Sequence, residues 1–204
     1  SSNIGRVANY RNTLYSVATG DWVLNLDGDD YLLDPSFISA AIESVRSSPN
    51  IVMVCGNMLI KRDEVVSTCE FPEEQIMPGV VAVKKYRESK YQFHHLSTMY
   101  SRPLAISLNF YSMDVLSADW ESLCRLAIQG DVCYLDMVAG VWCLDGGNAS
   151  SVESWKIWHD NLYIWPSIFL AMKAYGARDI RIKQAMFVSH FAMQGLSWRW
   201  SLPE

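Results

Sequence analysis

The chain is 204 residues long, half of them apolar and 19% charged, which excludes a disordered segment and leaves room for one well-buried α/β domain with an appendage. A net charge of −5 and a pI near 5.4 exclude the basic footprint of a nucleic-acid-binding protein, so a phosphate-bearing substrate needs a local cation or a few placed arginines. Five scattered cysteines, with no CxxC pair and no histidine at zinc spacing, read as reduced thiols of a cytosolic protein.

Residues 3–19 place Ile4, Val7, Ala8, Leu14, Tyr15, Val17 and Ala18 at mostly helical intervals, and Gly20 suits the position after a helix end. The polar face of this helix carries Arg6, Asn9, Arg11 and Asn12. A guanidinium there either lies in solvent or reaches phosphate or a base edge. Residues 21–26 follow as a short buried strand that ends in Asp27-Gly28-Asp29-Asp30. Three carboxylates within four residues repel one another unless a cation or water satisfies them. Asp27 and Asp29 are two apart, and Gly28 lets the backbone bend towards a ligand, which suits Mg²⁺ or Mn²⁺ as hard cations. A plain acidic turn before a helix is the alternative.

Asp34-Pro35 predicts a helix start, with Phe37, Ile38, Ala41, Ile42 and Val45 along its apolar stripe. A strand over 51–60 comes next. Strand, helix and strand at this spacing predict a βαβ unit and a parallel sheet, with a ligand beyond the strands' carboxyl ends. Residues 61–64 read as a hairpin turn and 71–79 as a loop. His94 to Arg102 reads as a strand running into a polar end, its two adjacent histidines on opposite sides and Arg102 placed to pair with a diphosphate or a surface acid. A helix over 116–130 carries Asp119 and Glu121 in its first turn, where acids complement the dipole or supply a general base. Residues 132–135 and 138–142 predict two short strands. Asp145 and the glycines after it make a loop, and that aspartate either completes a metal shell or opens a turn.

From Val152 the composition changes. Six of the eight tryptophans lie from Trp142 onward, and residues 154–175 and 179–200 read as two helices with more apolar surface than free helices keep in water. They are expected to pack on the domain or on a second copy of the chain, with a peripheral membrane contact as the weaker alternative. No apolar run reaches the length of a bilayer span.

In order and spacing, Asn3-Ile4-Gly5, Arg11-Asn12, Ala18-Thr19-Gly20-Asp21-Trp22, Leu26-Asp27-Gly28-Asp29-Asp30, Ala118-Asp119 and Gly146-Gly147-Asn148-Ala149-Ser150 resemble family 2 glycosyltransferases of the GT-A fold. The resemblance covers Asn3 to about Ser151. It implies a Rossmann-like α/β fold with a mixed, mostly parallel sheet flanked by helices, in a domain of residues 1–151, and a helical extension over 152–204. It further implies a chain that begins inside the nucleotide-binding region, so that the first strand-helix unit of the fold is missing and the piece alone is inactive. The implied activity is inverting, metal-dependent hexosyl transfer from a nucleotide-diphosphate sugar, a UDP-sugar first of all. The acceptor would be a glycan or lipid-linked hydroxyl of surface polysaccharide synthesis, at the inner face of a membrane.

By position, Asp29 would be a direct ligand of Mn²⁺ or Mg²⁺, and Asp27 would face the ribose or a metal-bound water. Arg6 and Arg11 would sit near the nucleotide. Asp119 would be the catalytic base, although Ala118 stands where relatives have an acid. Asp145 stands where many relatives have a histidine ligand. Asp30, Glu121 and Arg102 would support the site. A haloacid dehalogenase-type phosphatase also places DxD after a buried strand, but Asp30-Tyr31 after the second aspartate speaks against it. A non-catalytic sugar-binding or scaffold relative is the remaining alternative.

Overall fold

The computed structural model describes residues 3–63, 65–68, 75–85, 91–144 and 154–176. The chain opens with helix α1 (Arg6–Asn12), which continues as one π turn over Thr13–Val17, its last bond running from Ala18 N–H to Thr13 O at 2.8 Å. Strand β1 (Trp22–Leu24) follows, and beyond the acidic turn come β2 (Tyr31–Leu32) and helix α2 (Phe37–Ser47). Asp34 does not cap α2. Its Oδ1 accepts the Ser36 backbone N–H at 2.8 Å and the Ser36 hydroxyl at 2.6 Å, so a turn precedes the helix, which starts at Phe37.

Two long strands carry the sheet: β3 (Ile51–Arg62) and β7 (Asp131–Leu144), paired in parallel from Ile51↔Asp131 to Arg62↔Leu144. The register slips between Cys55 and Met58, which divides the pair into two levels. At the first level β6 (Thr98–Ser101) lies against β3, β1 against β6, and β5 (Gln75–Pro78) against the far side of β7. At the second level β4 (Val65–Thr68) flanks β3 and β2 flanks β7. The strand order is β1-β6-β3-β7-β2, and of the pairings described only β3 with β7 is parallel.

The sheet is therefore mixed and largely antiparallel rather than mostly parallel. The βαβ expectation has the right sense but the wrong neighbours: β1 and β3 run the same way, with antiparallel β6 inserted between them. β1 is also shorter than expected and half-buried, since it lies at an edge. Where two strands were expected over 132–142, β7 is unbroken. Asp136, between the two expected strands, points out at the register slip and accepts from Asn57 Nδ2 at 3.3 Å. Residues 75–78, expected as loop, pair with β7, and the expected hairpin does turn at Asp63, whose φ is 51°.

Strand alternation sends side chains to two cores. Phe37 and Ala41 of α2 meet Ile51, Val54, Cys133 and Leu135 on one face. On the other, Met53, Cys55, Val132 and Tyr134 meet α1, α3 (Gly79–Lys85), α5 (Ala118–Ala127) and α7 (Ile164–Ala174). Gly79 N–H bonds Gly130 O at 2.8 Å, and a Cβ there would lie 1.7 Å from Ala127 O, so only glycine lets α3 meet the end of α5 this closely. A further short helix of the body is α4 (Arg102–Ser107).

The described part of the extension forms α6 (Trp155–Asn161) and α7 in place of the single helix expected over 154–175. Pro166 sits in the first turn of α7, where its missing N–H costs nothing, and the chain breaks before it at 162–163. Ile164, Trp165, Ile168 and Met172 are buried in the main core. The helix expected over 179–200 and the loop around Asp145 lie outside the described residues. Among the described residues no helix is long and apolar enough to cross a membrane.

Candidate functional site

Because β1 and β2 lie at opposite ends of the strand order, residues 25–30 must cross the sheet between them. That crossing is the acidic turn, closed by Asp30 N–H on Asp27 O at 3.1 Å. Tyr10 of α1, 8% exposed, aims its hydroxyl at the Asp27 carboxylate, 2.9 Å from Oδ1 and 2.8 Å from Oδ2. A phenol carries one proton, so it donates to one oxygen at a time and holds the carboxylate flat against it. Burial first, and Asp27 second, raise the Tyr10 hydroxyl well above its ordinary range, so it stays a donor.

Asp30 is tied differently. Its Oδ1 accepts the Cys143 N–H of β7 at 2.9 Å. Burial lifts its pKa from 3.8 to about 6, and Asp29 and Asp27 add to the rise against the Cys143 bond. Asp29 itself is exposed.

Beneath the turn lies a chain of buried polar rings. Tyr100 donates to Asn25 Oδ1 at 2.8 Å, Tyr111 lies 3.1 Å from Tyr100 Oη, and His95 Nε2 lies 2.7 Å from Tyr111 Oη. With Tyr100's proton given to Asn25, the bonds run one way only if Tyr111 donates to Tyr100 and His95 Nε2–H donates to Tyr111. Burial lowers the His95 pKa, against the opposing charges of Asp119 and Asp27, so the ring is neutral. The Tyr10 ring packs edge-on to His95 at 4.8 Å, which joins this chain to the holder of Asp27.

Of these groups, Tyr10, Asp27, Asp29, Asp30 and His95 line a cavity of about 700 Å³. Its walls include Arg6, Tyr10, Asp27, Asp29 and Asp30 on one side, and His94, His95, Asp119, Trp120 and Trp158 elsewhere. The structure thus brings Asp27, Asp29, Asp30, Asp119 and Arg6 to one space from segments about a hundred residues apart in sequence. Arg6 is partly spent there: its Nη2 donates to Leu116 O at 2.6 Å and Val115 O at 3.2 Å, fixing the approach to α5.

Arg11, Arg102 and Glu121 do not line the cavity. Arg11 donates to Phe110 O and Asn109 Oδ1, both at 2.8 Å, and Arg102 Nε donates to Leu14 O at 3.1 Å. Glu121 is wholly buried and pairs with Arg125 at 2.6 Å, with the Ser122 and Ser167 hydroxyls on its oxygens. Asp145 lies outside the described residues.

Both histidines face the cavity, contrary to the expectation that a strand would part them. The backbone at His95–Ser97 is a 3-10 turn, not a strand, so the alternation rule does not apply. Tyr10 and Trp158 carry no signal of the site in the sequence, because aromatic side chains on a helical stretch read as core, whereas the two histidines read there as packing or substrate-contact residues.

Among the described residues no three His, Cys, Asp or Glu side chains are placed to hold a metal together. The carboxylates of Asp27 and Asp29 still suit Mg²⁺ or Mn²⁺, which needs only one or two when water and phosphate oxygens complete its shell.

No family model matches the chain, and no curated protein sequence does. Among solved structures it is similar to residues 1–349 of TarS from S. aureus, a glycosyltransferase, with a TM-score of 0.63 and 14% identity over 93% of this chain. The chain spans about half of that structure, 52% of its length. The likeness is one of architecture: a mixed α/β sheet between helices, in a glycosyltransferase-like fold.

Proposed function

We propose that the protein bearing this chain transfers a sugar from a nucleotide-diphosphate donor, a UDP-sugar first of all, to an acceptor hydroxyl with inversion at the anomeric carbon. The observation that carries the reading is that one cavity joins the acidic turn to Asp119, in a chain of glycosyltransferase-like fold. Asp27 and Asp29 would hold Mn²⁺ or Mg²⁺, whose positive charge would offset that of the departing diphosphate. Asp119, half-buried in the first turn of α5, would accept the proton of the attacking hydroxyl as its oxygen bonds to the anomeric carbon and the diphosphate oxygen leaves on the opposite face.

Tyr10 keeps the Asp27 carboxylate in one orientation, and Arg6 holds residues 115 and 116 so that Asp119 is presented to the cavity. Asp29→Ala and Asp119→Asn separate these roles. Both are expected to cut turnover by about a hundredfold or more, but only Asp29→Ala should abolish the Mn²⁺ dependence of UDP binding in a calorimetric titration. Equal Mn²⁺ dependence in Asp29→Ala and the parent would sink the metal assignment.

A further inference from the structure

The part of the cavity around Asp119 is built from aromatic rings rather than carboxylates. Trp120 follows Asp119 in α5, and its indole is held edge-on to the buried Trp165 at 5.2 Å. Trp158 arrives from α6, and its placement has a local cause. Asn161, one turn further along the same helix face, is 1% exposed and grips the start of α5: its Oδ1 accepts Ser117 N–H at 2.7 Å and its Nδ2 donates to Ser117 Oγ at 3.0 Å. This two-point clamp sets Trp158 beside the first turn of α5, where it lines the cavity with Asp119.

His94 completes the group. It lines the cavity, yet its Nε2 is shut off from solvent and finds no hydrogen-bond partner among the described residues. Burial lowers its pKa to about 4, with the Asp119 charge acting the other way, so the ring is neutral. A buried polar nitrogen left unpaired is costly, and a small turn of the ring towards the cavity would let a ligand hydroxyl relieve it.

We propose that Trp120, Trp158, His94 and Asp119 form an acceptor subsite for a sugar ring, with indole surface against the ring's C–H faces and the imidazole and carboxylate on its hydroxyls. The proposal rests on the glycosyl-transfer reading for the word acceptor and names its substrate class. A pyranose matches the lining because it has apolar faces and a polar rim. An open-chain polyol offers no flat apolar face, and an acyl chain would leave His94 and Asp119 without partners.

The test is a tryptophan-fluorescence titration of the full chain with maltose, cellobiose and diacetylchitobiose, with sorbitol as the open-chain control and UDP plus Mn²⁺ titrated separately by calorimetry. At least one disaccharide is expected to bind saturably, about tenfold or more tighter than sorbitol. Trp158→Ala should weaken it about tenfold, while Trp158→Phe, which keeps an aromatic face, should stay within about threefold. UDP binding should not change in either. Equal binding of sorbitol, no binding of any disaccharide, or an unchanged disaccharide constant in Trp158→Ala overturns the proposal, and if the alanine variant does not fold, Trp158→Leu against Trp158→Phe gives the same comparison. A chain that binds the disaccharide but not UDP would keep the sugar subsite and remove the transfer reading. The reverse result would do the opposite.

Discussion

A single phenol decides how the acidic turn is presented. Tyr10 gives Asp27 a charge-assisted hydrogen bond, of the class that contributes about 1.5–3 kcal/mol. Tyr10→Phe keeps the ring against His95 and Tyr111 and removes only that bond. In urea denaturation without divalent cation the variant is expected to lose about 1.5–3 kcal/mol, and Mn²⁺ should restore part of the loss by giving Asp27 another partner. An unchanged midpoint would show that the bond contributes nothing.

At this scale the sequence is legible where charge marks the chemistry and illegible where it does not. Asp27, Asp29 and Asp119 announce themselves, and they do line one cavity. The arginines do not disclose their partners, because Arg6, Arg11 and Arg102 each donate to backbone carbonyls of distant segments, and any carbonyl looks the same in a sequence.

Among the elements, α5 bears most on the site, since its first turn carries Asp119 and its second turn anchors it. Arg125, one turn after Glu121, also donates to Leu108 O, so one buried pair holds α5, the end of α4 and, through Ser167, helix α7. Side-chain exposures of 13% for Arg125 and 1% for Glu121 make this a buried pair, and removing one member leaves an uncompensated charge. Arg125→Met is expected to cost about 3–5 kcal/mol in urea denaturation. A loss below about 1 kcal/mol would place the pair among exposed ones that contribute little.

Elements followed the sequence where periodicity was strong, as in α5 and the body of α2, and failed where a local signal misled, as Asp34-Pro35 did for the start of α2. The two apolar runs 132–135 and 138–142 read as separate strands, yet β7 is unbroken because the register slip between them turns Asp136 outward to Asn57. Pro166 was the overlooked sign that 154–175 could not be one helix.

Across the molecule, three aspartates share a crossing between opposite edges of the sheet, so their charges are felt together. For Asp30 the folded-state pKa, about 6, stands above the ordinary 3.8, the reverse of a carboxylate held by a cation. Its ionisation therefore costs stability: the penalty is absent below about pH 4, grows as pH rises towards 6, and persists above. Asp30→Asn, which can still accept from Cys143 N–H, should accordingly melt higher than the parent at pH 7 and level with it at pH 4. The measurement is thermal denaturation in metal-free buffer at both pH values, and an equal offset at both would remove the electrostatic account.

The strands themselves could be read from apolar runs, but their order could not. Nothing in residues 98–101 says that β6 will enter between β1 and β3, because pairing is chosen by the packing of whole faces and not by any local signal.

The π turn at Thr13–Val17 has a bearing on how this segment could change. Its closing bond spans five residues where an α turn spans four, so the turn takes up one extra residue between α1 and β1. Deleting one residue within 13–17 would let an ordinary α turn bridge the same ends and leave Arg6 and Tyr10 where they are. The turn is therefore slack in the chain, where this segment can lose a residue without moving the helix that holds Asp27.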